Sequence, residues 1–322
     1  MNSIGATQDI ATDGLAVSIL KGEQQHIGNM FQVVGSRLGF IVGGGAILWA
    51  LDWLNWQSTF IILAVIVLIN TIPVLFYREP EHLHHRFEKE QEGKQQVSID
   101  QHSLSQRIST FFTAIAHYLK YFFKSAVLWR WFMVLLTIKV TDGLSGPIVK
   151  PLLVDLGLSL SQIGIYITML GAFAALLGAG LASLCLHFMS RANALLLFSL
   201  LKLASLAGFA YLATLHAQNV AIAPWLIYLI NALEDMFASM LLVIILTLVM
   251  QYSRKSHAGT DFTFQVSFMA MIAGVFYTTS GILGDLLGYQ VYLIAICCIG
   301  VLVLFPIWQW RKQTLKQSTI EI

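Results

Sequence analysis

Long apolar runs separated by short polar breaks dominate the chain. A helix that crosses a bilayer needs about 20 mostly apolar residues. Runs of that kind occupy 28–51, 57–77, 128–153, 161–187, 192–215, 222–250, 262–286 and 289–310, and each predicts a spanning helix. Residues 4–20 predict the cytoplasmic part of one more. Between 78 and 127 the pattern changes. Residues 78–107 are dense in charge, Gln and Ser and predict a solvated linker. Beyond them, Ile108, Phe111, Phe112, Ile115, Leu119 and Phe122 share one helical face, away from Thr110, His117 and Lys120, which predicts an amphipathic helix on the membrane surface. The pattern therefore divides an all-α membrane protein into a transmembrane part at 1–77, a linker at 78–127, six helices at 128–311 and a tail at 312–322.

Composition agrees. Of 322 residues, 57% are hydrophobic and 11% charged, against about 25% charged in soluble domains. The distribution of charge says more than the net value of +2. Of the 19 Lys and Arg residues, all but four fall in alternate loops and at the C-terminus. The opposite loops have none and carry Asp52, Asp155 and Asp285 instead. By the positive-inside rule the linker and the C-terminus are cytoplasmic. Residues 1–20 lack the basic start and unbroken apolar core of a signal peptide. Cys185, Cys297 and Cys298 are few and apolar in setting, which predicts packing rather than a disulfide framework.

The four remaining basic residues, Arg37, Lys139, Lys150 and Lys202, stand inside predicted spans with Asp9, Asp13, Asp142, Glu234 and Asp235. A charge in hydrocarbon costs about 2.5–3.5 kcal/mol on insertion scales, so it faces a bundle interior, a partner or a water-filled cavity. Both signs together predict a polar pathway through the middle. Asp9 and Asp13 share one helix face; Asp9 is a proton-binding carboxylate or a structural partner for Arg37. Lys139 and Asp142 are neighbours on one face. They neutralise each other, or Lys139 meets an anionic solute while Asp142 holds a proton. Glu234 and Asp235 point about 100° apart, so one can face the pathway and the other a neighbouring helix, with Lys202 as a partner for either. The proton-coupling candidates are thus Asp9, Asp142, Glu234 and Asp235. The solute-binding candidates are Arg37, Lys139, Lys202 and Asn231.

Other features take plainer readings. Lys150, between Pro147 and Pro151, is expected to snorkel to the interface. Gly43–Gly45 and Gly171, Gly178 and Gly180 predict close helix packing, and no strand precedes them to make a nucleotide loop. His26, His82, His84, His85 and His257 lack metal-ligand spacing, so no metal, cofactor or nucleic acid is expected. Trp53, Trp56, Tyr289, Trp308 and Trp310 fall at span ends and predict an interfacial belt.

The chain also repeats itself. Phe31-Gln32-Val33 recurs as Phe264-Gln265-Val266, and at the same offset Asp52 to Gln57 lines up with Asp285 to Gln290. Parallel repeats of this kind relate the halves of major facilitator transporters. Thr7-Gln8-Asp9-Ile10, Gly35-Ser36-Arg37-Leu38-Gly39, Trp56-Gln57 and Lys139-x-x-Asp142 resemble the AmpG-like branch of that superfamily. The branch includes bacterial anhydromuropeptide permeases, acetyl-CoA transporters and RhtX/FptX-type siderophore uptake proteins. The resemblance covers nearly the whole chain. It implies a major facilitator fold of about twelve spans, a cytoplasmic central loop, alternating access, proton coupling and the bacterial inner membrane. It also implies that Asp9, Arg37, Lys139 and Asp142 line or brace the central pathway. About 8–9 of the expected twelve spans are visible, and the first three are expected to be the ones absent. The stretch Asn231–Met236 departs from the glycine-rich tenth span of muropeptide permeases, whereas Pro147–Leu152 and Asp9–Val17 look closer to the siderophore type.

The expectation is a secondary active transporter that imports a polar, anionic solute with protons, siderophore-type first and muropeptide-type second. Its partners are a small solute, protons and membrane lipid; its oligomeric state is not legible. A polytopic transferase acting on lipid-linked substrates would need a nucleophile or metal cluster near one interface, and none is visible. An inactive truncated paralogue is the third reading, because a chain without its front spans is not expected to transport alone. The topology is testable: an external thiol reagent is expected to label cysteines placed at Asn55 or Gln218 but not at Gln95. Labelling at Gln95 would reverse the orientation.

Overall fold

The computed structural model describes residues 2–42, 54–76, 120, 122, 124–159 and 162–320. Every regular element among them is a helix. Residues 78–119, Gly43–Gly45, Trp53 and the histidines at 82, 84 and 85 lie outside the described residues, and with them the linker and most of the expected surface helix. Two compact bodies result, residues 40–119 and the remainder.

In the first body, α3 (Trp56–Phe76) starts where the Asn55 side chain accepts the Ser58 amide at 2.8 Å. Its apolar residues point in all directions, with Phe60, Ile61, Val65, Leu68 and Ile69 exposed. A helix that is hydrophobic all round belongs in hydrocarbon.

The second body begins with α1 (Asn2–Ile19) and α2 (Gln24–Phe40), joined at Gly22, whose φ of 46° needs glycine or a strained residue. After α2 come α4 (Ala126–Thr137) and α5 (Val140–Asp155). Next are α6 (Leu170–Phe188), α7 (Arg191–Ala217), α8 (Pro224–Tyr252) and α9 (Ala258–Ile320). The local signals explain the starts. Ser125 and Ser190 cap α4 and α7 through their hydroxyls, and Pro224 occupies the first turn of α8, where a missing N–H costs nothing. Ser159 and Gln162 bond reciprocally, a capping box, ahead of a π-helical segment at Ile163–Met169 that leads into α6.

Two departures from the expected spans matter. The run at 128–153 is not one helix: it breaks at Ile138–Lys139, where Lys139 has φ −98° and ψ 0°. The last two spans are continuous except at Gly288, whose φ of 71° and ψ of 160° only glycine adopts readily. That break separates limbs 258–287 and 289–320 of α9. Among the described residues, six helical stretches are long and apolar enough to cross a membrane, the last being this double-length rod.

The core has an aliphatic part and an aromatic part. Leu152, Leu153, Phe209, Leu212, Ile227 and Leu293 form the first, between α5, α7, α8 and the second limb of α9. In the second, Trp131 stacks on Tyr252 at 5.1 Å and meets Trp310 at 5.5 Å. The Trp131 indole donates to Gln265 at 2.8 Å and that of Trp310 to Tyr252 at 3.1 Å. Trp310 is only 1% exposed, so it is not part of an interfacial belt; its N–H found a buried acceptor instead. Trp56 and Trp308 are exposed, as the belt reading requires.

Glycine sets the α6–α8 crossing. A Cβ at Gly178 would overlap the Met236 backbone, and one at Gly171 the Asp235 carboxylate, whereas Gly180 has open space around it. Gly180 is therefore no part of the packing face expected from its spacing. Gly178→Ala is expected to destabilise the protein by about 1–3 kcal/mol through overpacking. Gly180→Ala is expected to be neutral or to stabilise by up to about 1 kcal/mol through helix propensity. Thermal unfolding in detergent measures both, and equal effects would contradict the crossing.

Candidate functional site

Four charged side chains meet where α5, α7 and α8 cross. Lys139 ends the break before α5, and its ammonium lies 2.7 Å from Asp142, one turn on. Lys202, from the middle of α7, reaches the other Asp142 oxygen at 3.5 Å. The Lys202 ammonium also bonds Glu234 of α8, whose second oxygen accepts from the Ser205 hydroxyl. The chain Lys139–Asp142–Lys202–Glu234 holds two positive and two negative charges, so it is neutral as a unit. Burial deepens along it: the Lys139 side chain is 27% exposed and that of Lys202 13%.

Two cavities flank the chain. A small one of about 30 Å³ is lined on one side by Thr141, Asp142, Ser145, Ser199, Lys202 and Glu234, and closed by aliphatic residues of α8 and α9. Its polar side has room for one water. A larger pocket of about 320 Å³ lies between α5, α8 and the first limb of α9. Its walls are Leu242, Leu246, Val266, Met269, Ala270, Ala273 and Tyr277, and its polar corner is Lys139 with Asp142. Asp142 is the residue that lines both cavities.

The backbone of α5 serves this arrangement. Gly143, beside Asp142, sits against the Ala273 carbonyl with no space for a Cβ, so α9 can approach closely. Pro147 and Pro151 interrupt the helical ladder of α5. Nearby, the Leu144 carbonyl accepts from the Ser280 hydroxyl at 2.6 Å and from Tyr292 at 3.2 Å. Lys150 is exposed.

The remaining candidates are dispersed. Asn231 is buried and donates to the Ile167 carbonyl at 3.2 Å and to Asp235 at 3.0 Å. Asp235 thus points towards α6, away from Glu234, and lies within electrostatic reach of Arg37 on α2. Asp9 is exposed. Asp13, one turn on, accepts from Gln32 of α2 at 3.0 Å rather than from Arg37.

Several polar contacts were not anticipated. All of them gather at one end of the helices. His26 meets Ser183 at 3.0 Å, and Asn29 donates to Thr247 at 3.3 Å. Arg191 donates to the Gly22 carbonyl at 2.7 Å and to Gln25 and Gln251, each at 2.9 Å. Arg254 forms a two-pronged pair with Asp261 at 2.7 and 2.8 Å. The one available signal was that His26, Arg191, Arg254 and Asp261 adjoin predicted span ends, where such residues ordinarily face water.

Comparison with known proteins gives the following. The sequence model of the Major Facilitator Superfamily matches residues 1–232. A protein of Rickettsia felis named as transporter AmpG 4 is 26% identical over 162 residues, 50% of this chain and 35% of that relative. The anhydromuropeptide permease of Escherichia coli K12 is 37% identical over 76 residues, 23% of this chain and 16% of the permease. The matches therefore span about a third or less of those relatives' own lengths.

The ion chain makes an ordering prediction. Lys202 touches both carboxylates and Lys139 only one. Removing one partner of a buried pair costs about 3–5 kcal/mol. Lys202→Met is expected near that range and Lys139→Met well below it, since Asp142 keeps Lys202. Adding Glu234→Gln to Lys202→Met is expected to recover part of the loss. Thermal unfolding of the three variants checks the order, and a larger loss for Lys139→Met would refute it.

Proposed function

Because the chain belongs to the major facilitator superfamily, we propose that it takes part in proton-coupled import of an anionic solute of the anhydromuropeptide type. Its family and its apolar helices make it a multi-pass membrane protein of a transporter family, not an enzyme. The observation that carries the finer reading is Asp142, held between two lysines and facing both cavities.

The coupling follows from competition. A solute carboxylate in the larger pocket and the Asp142 carboxylate compete for Lys139. Protonating Asp142 releases Lys139 to the solute. By reciprocity, a bound solute anion favours a proton on Asp142 to the same degree. The two cargoes then travel together, and deprotonation returns Lys139 to Asp142 and expels the solute. Lys202 stays on Glu234 throughout, so the ammonium deepest in the bundle is never bare. Water in the small cavity would give the proton a route past Ser145 and Ser199. The aliphatic walls of the pocket suit a solute with an apolar part next to its anionic group.

The name of the Escherichia coli relative supports a muropeptide solute ahead of a siderophore, reversing the order drawn from the Pro147–Leu152 run. Arg37 and Asp9 are assigned to the opposite wall of the pathway, with Glu234, Asp235 and Asn231 of α8 bracing the near one. The one-sided basic residues support a cytoplasmic C-terminus, and the bacterial relatives support an inner-membrane setting.

Proteoliposomes with an imposed pH gradient test the proposal. Assembled with the front spans that the family fold requires, the wild type is expected to accumulate labelled anhydromuropeptide. Asp142→Asn is expected to lose proton-driven accumulation by about tenfold or more, within the usual range of coupling, yet to retain solute exchange. Lys139→Gln is expected to raise KM. Unchanged accumulation by Asp142→Asn would remove this residue from the mechanism.

A further inference from the structure

A second charged cleft lies where the end of α9 passes the start of α4. It has a volume of about 470 Å³ and is lined by Arg130, Trp308, Gln309, Lys312, Gln313 and Lys316. That volume is within the range of about 300–1,000 Å³ usual for small-molecule sites. The cleft holds three cations from two helices and no carboxylate. No ion pair joins any of the three to an acidic residue among the described residues. Three like charges in one cleft repel one another, and an anion between them removes that penalty.

Two further observations define the anion. First, Lys312 lies over the Trp308 ring, 5.5 Å from its centre, which holds the ammonium at the level of the indole. Second, Val301, Phe305, Trp308 and Lys312 follow at intervals of four, three and four residues and so share one face of α9. Phe305 stacks on Trp308 at 6.4 Å, and both are exposed, as is Val301. The face thus runs from ammonium through aromatic rings to aliphatic surface. That order matches a phospholipid lying along a helix, headgroup at the membrane surface and acyl chain towards its middle.

We propose that this cleft binds an anionic phospholipid such as phosphatidylglycerol. The phosphodiester sits among Arg130, Lys312 and Lys316, and one acyl chain follows Trp308, Phe305 and Val301. The charge asymmetry of the chain puts the site in the cytoplasmic leaflet. The assignment is independent of what the ion chain transports.

The test is lipid retention by the purified full chain in detergent, read by native mass spectrometry with defined lipids. Phosphatidylglycerol is expected to be retained and phosphatidylcholine not. Lys312→Gln and Lys316→Gln are each expected to weaken retention about fivefold, equivalent to about 1 kcal/mol per basic residue near an anionic surface. Lys312→Arg keeps the charge and is expected to retain lipid, which separates loss of binding from loss of fold. Retention by the charge-removed variants equal to that of the wild type would overturn the site. Displacement of the lipid by millimolar inorganic phosphate would also overturn it, by showing a site for free anions.

Discussion

Charge neutrality inside an apolar bundle is the constraint on which this architecture depends. Lys139, Asp142, Lys202 and Glu234 would each carry a desolvation penalty of several kcal/mol alone. Joined in one chain they can occupy the crossing of α5, α7 and α8. That requirement explains local features that otherwise look unrelated. The break at Ile138–Lys139 starts a new helix one turn before Asp142. Ser205, one turn after Lys202, satisfies the second Glu234 oxygen. Gly143 removes the side chain that would keep α9 away from the same point. Electrostatics and close packing are solved together within a single turn of α5.

How much of this was legible in the sequence depended on how local the cause was. The spans were legible because length and apolarity are local: the run at 192–215 became Arg191–Ala217, and that at 222–250 became Pro224–Tyr252. The break inside 128–153 was not, since neither Gly nor Pro stands at Ile138–Lys139. The Lys139–Asp142 pair could be read from a spacing of three residues. Lys202 could be named as a partner for Glu234 or Asp235, but not which of the two it meets, because that contact joins residues 32 apart through the packing of two helices. Asp261 was passed over for a related reason. Near a span end it reads as solvated, yet it is 4% exposed and clasped by Arg254. Trp310 shows the converse, an apparent interfacial anchor turned inward by a tyrosine hydroxyl.

The polar contacts of α1 and α2 with the larger bundle have their own order. Between Gly22 and Asn29 they are dense, with Arg191, Ser183, Thr247 and Gln251 as partners. Further along, close packing replaces them: Gly14 of α1 lies against the backbone of Gly259 in α9, with little space for a Cβ.

The Gly178–Met236 crossing has a mechanical consequence. There the backbones of α6 and α8 meet directly, with no side chain between them. Side-chain contacts can adjust by changing rotamer, but main chain against main chain cannot. Sliding one helix past the other would force the two covalent frames into overlap. These helices therefore behave as a single stiff beam. Bending must concentrate where the helical ladder is already interrupted, as at Lys139, at Pro147 and Pro151, and at Gly288. The break at Lys139 adjoins the ion chain, so deformation of the bundle and rearrangement of its charges share a fulcrum.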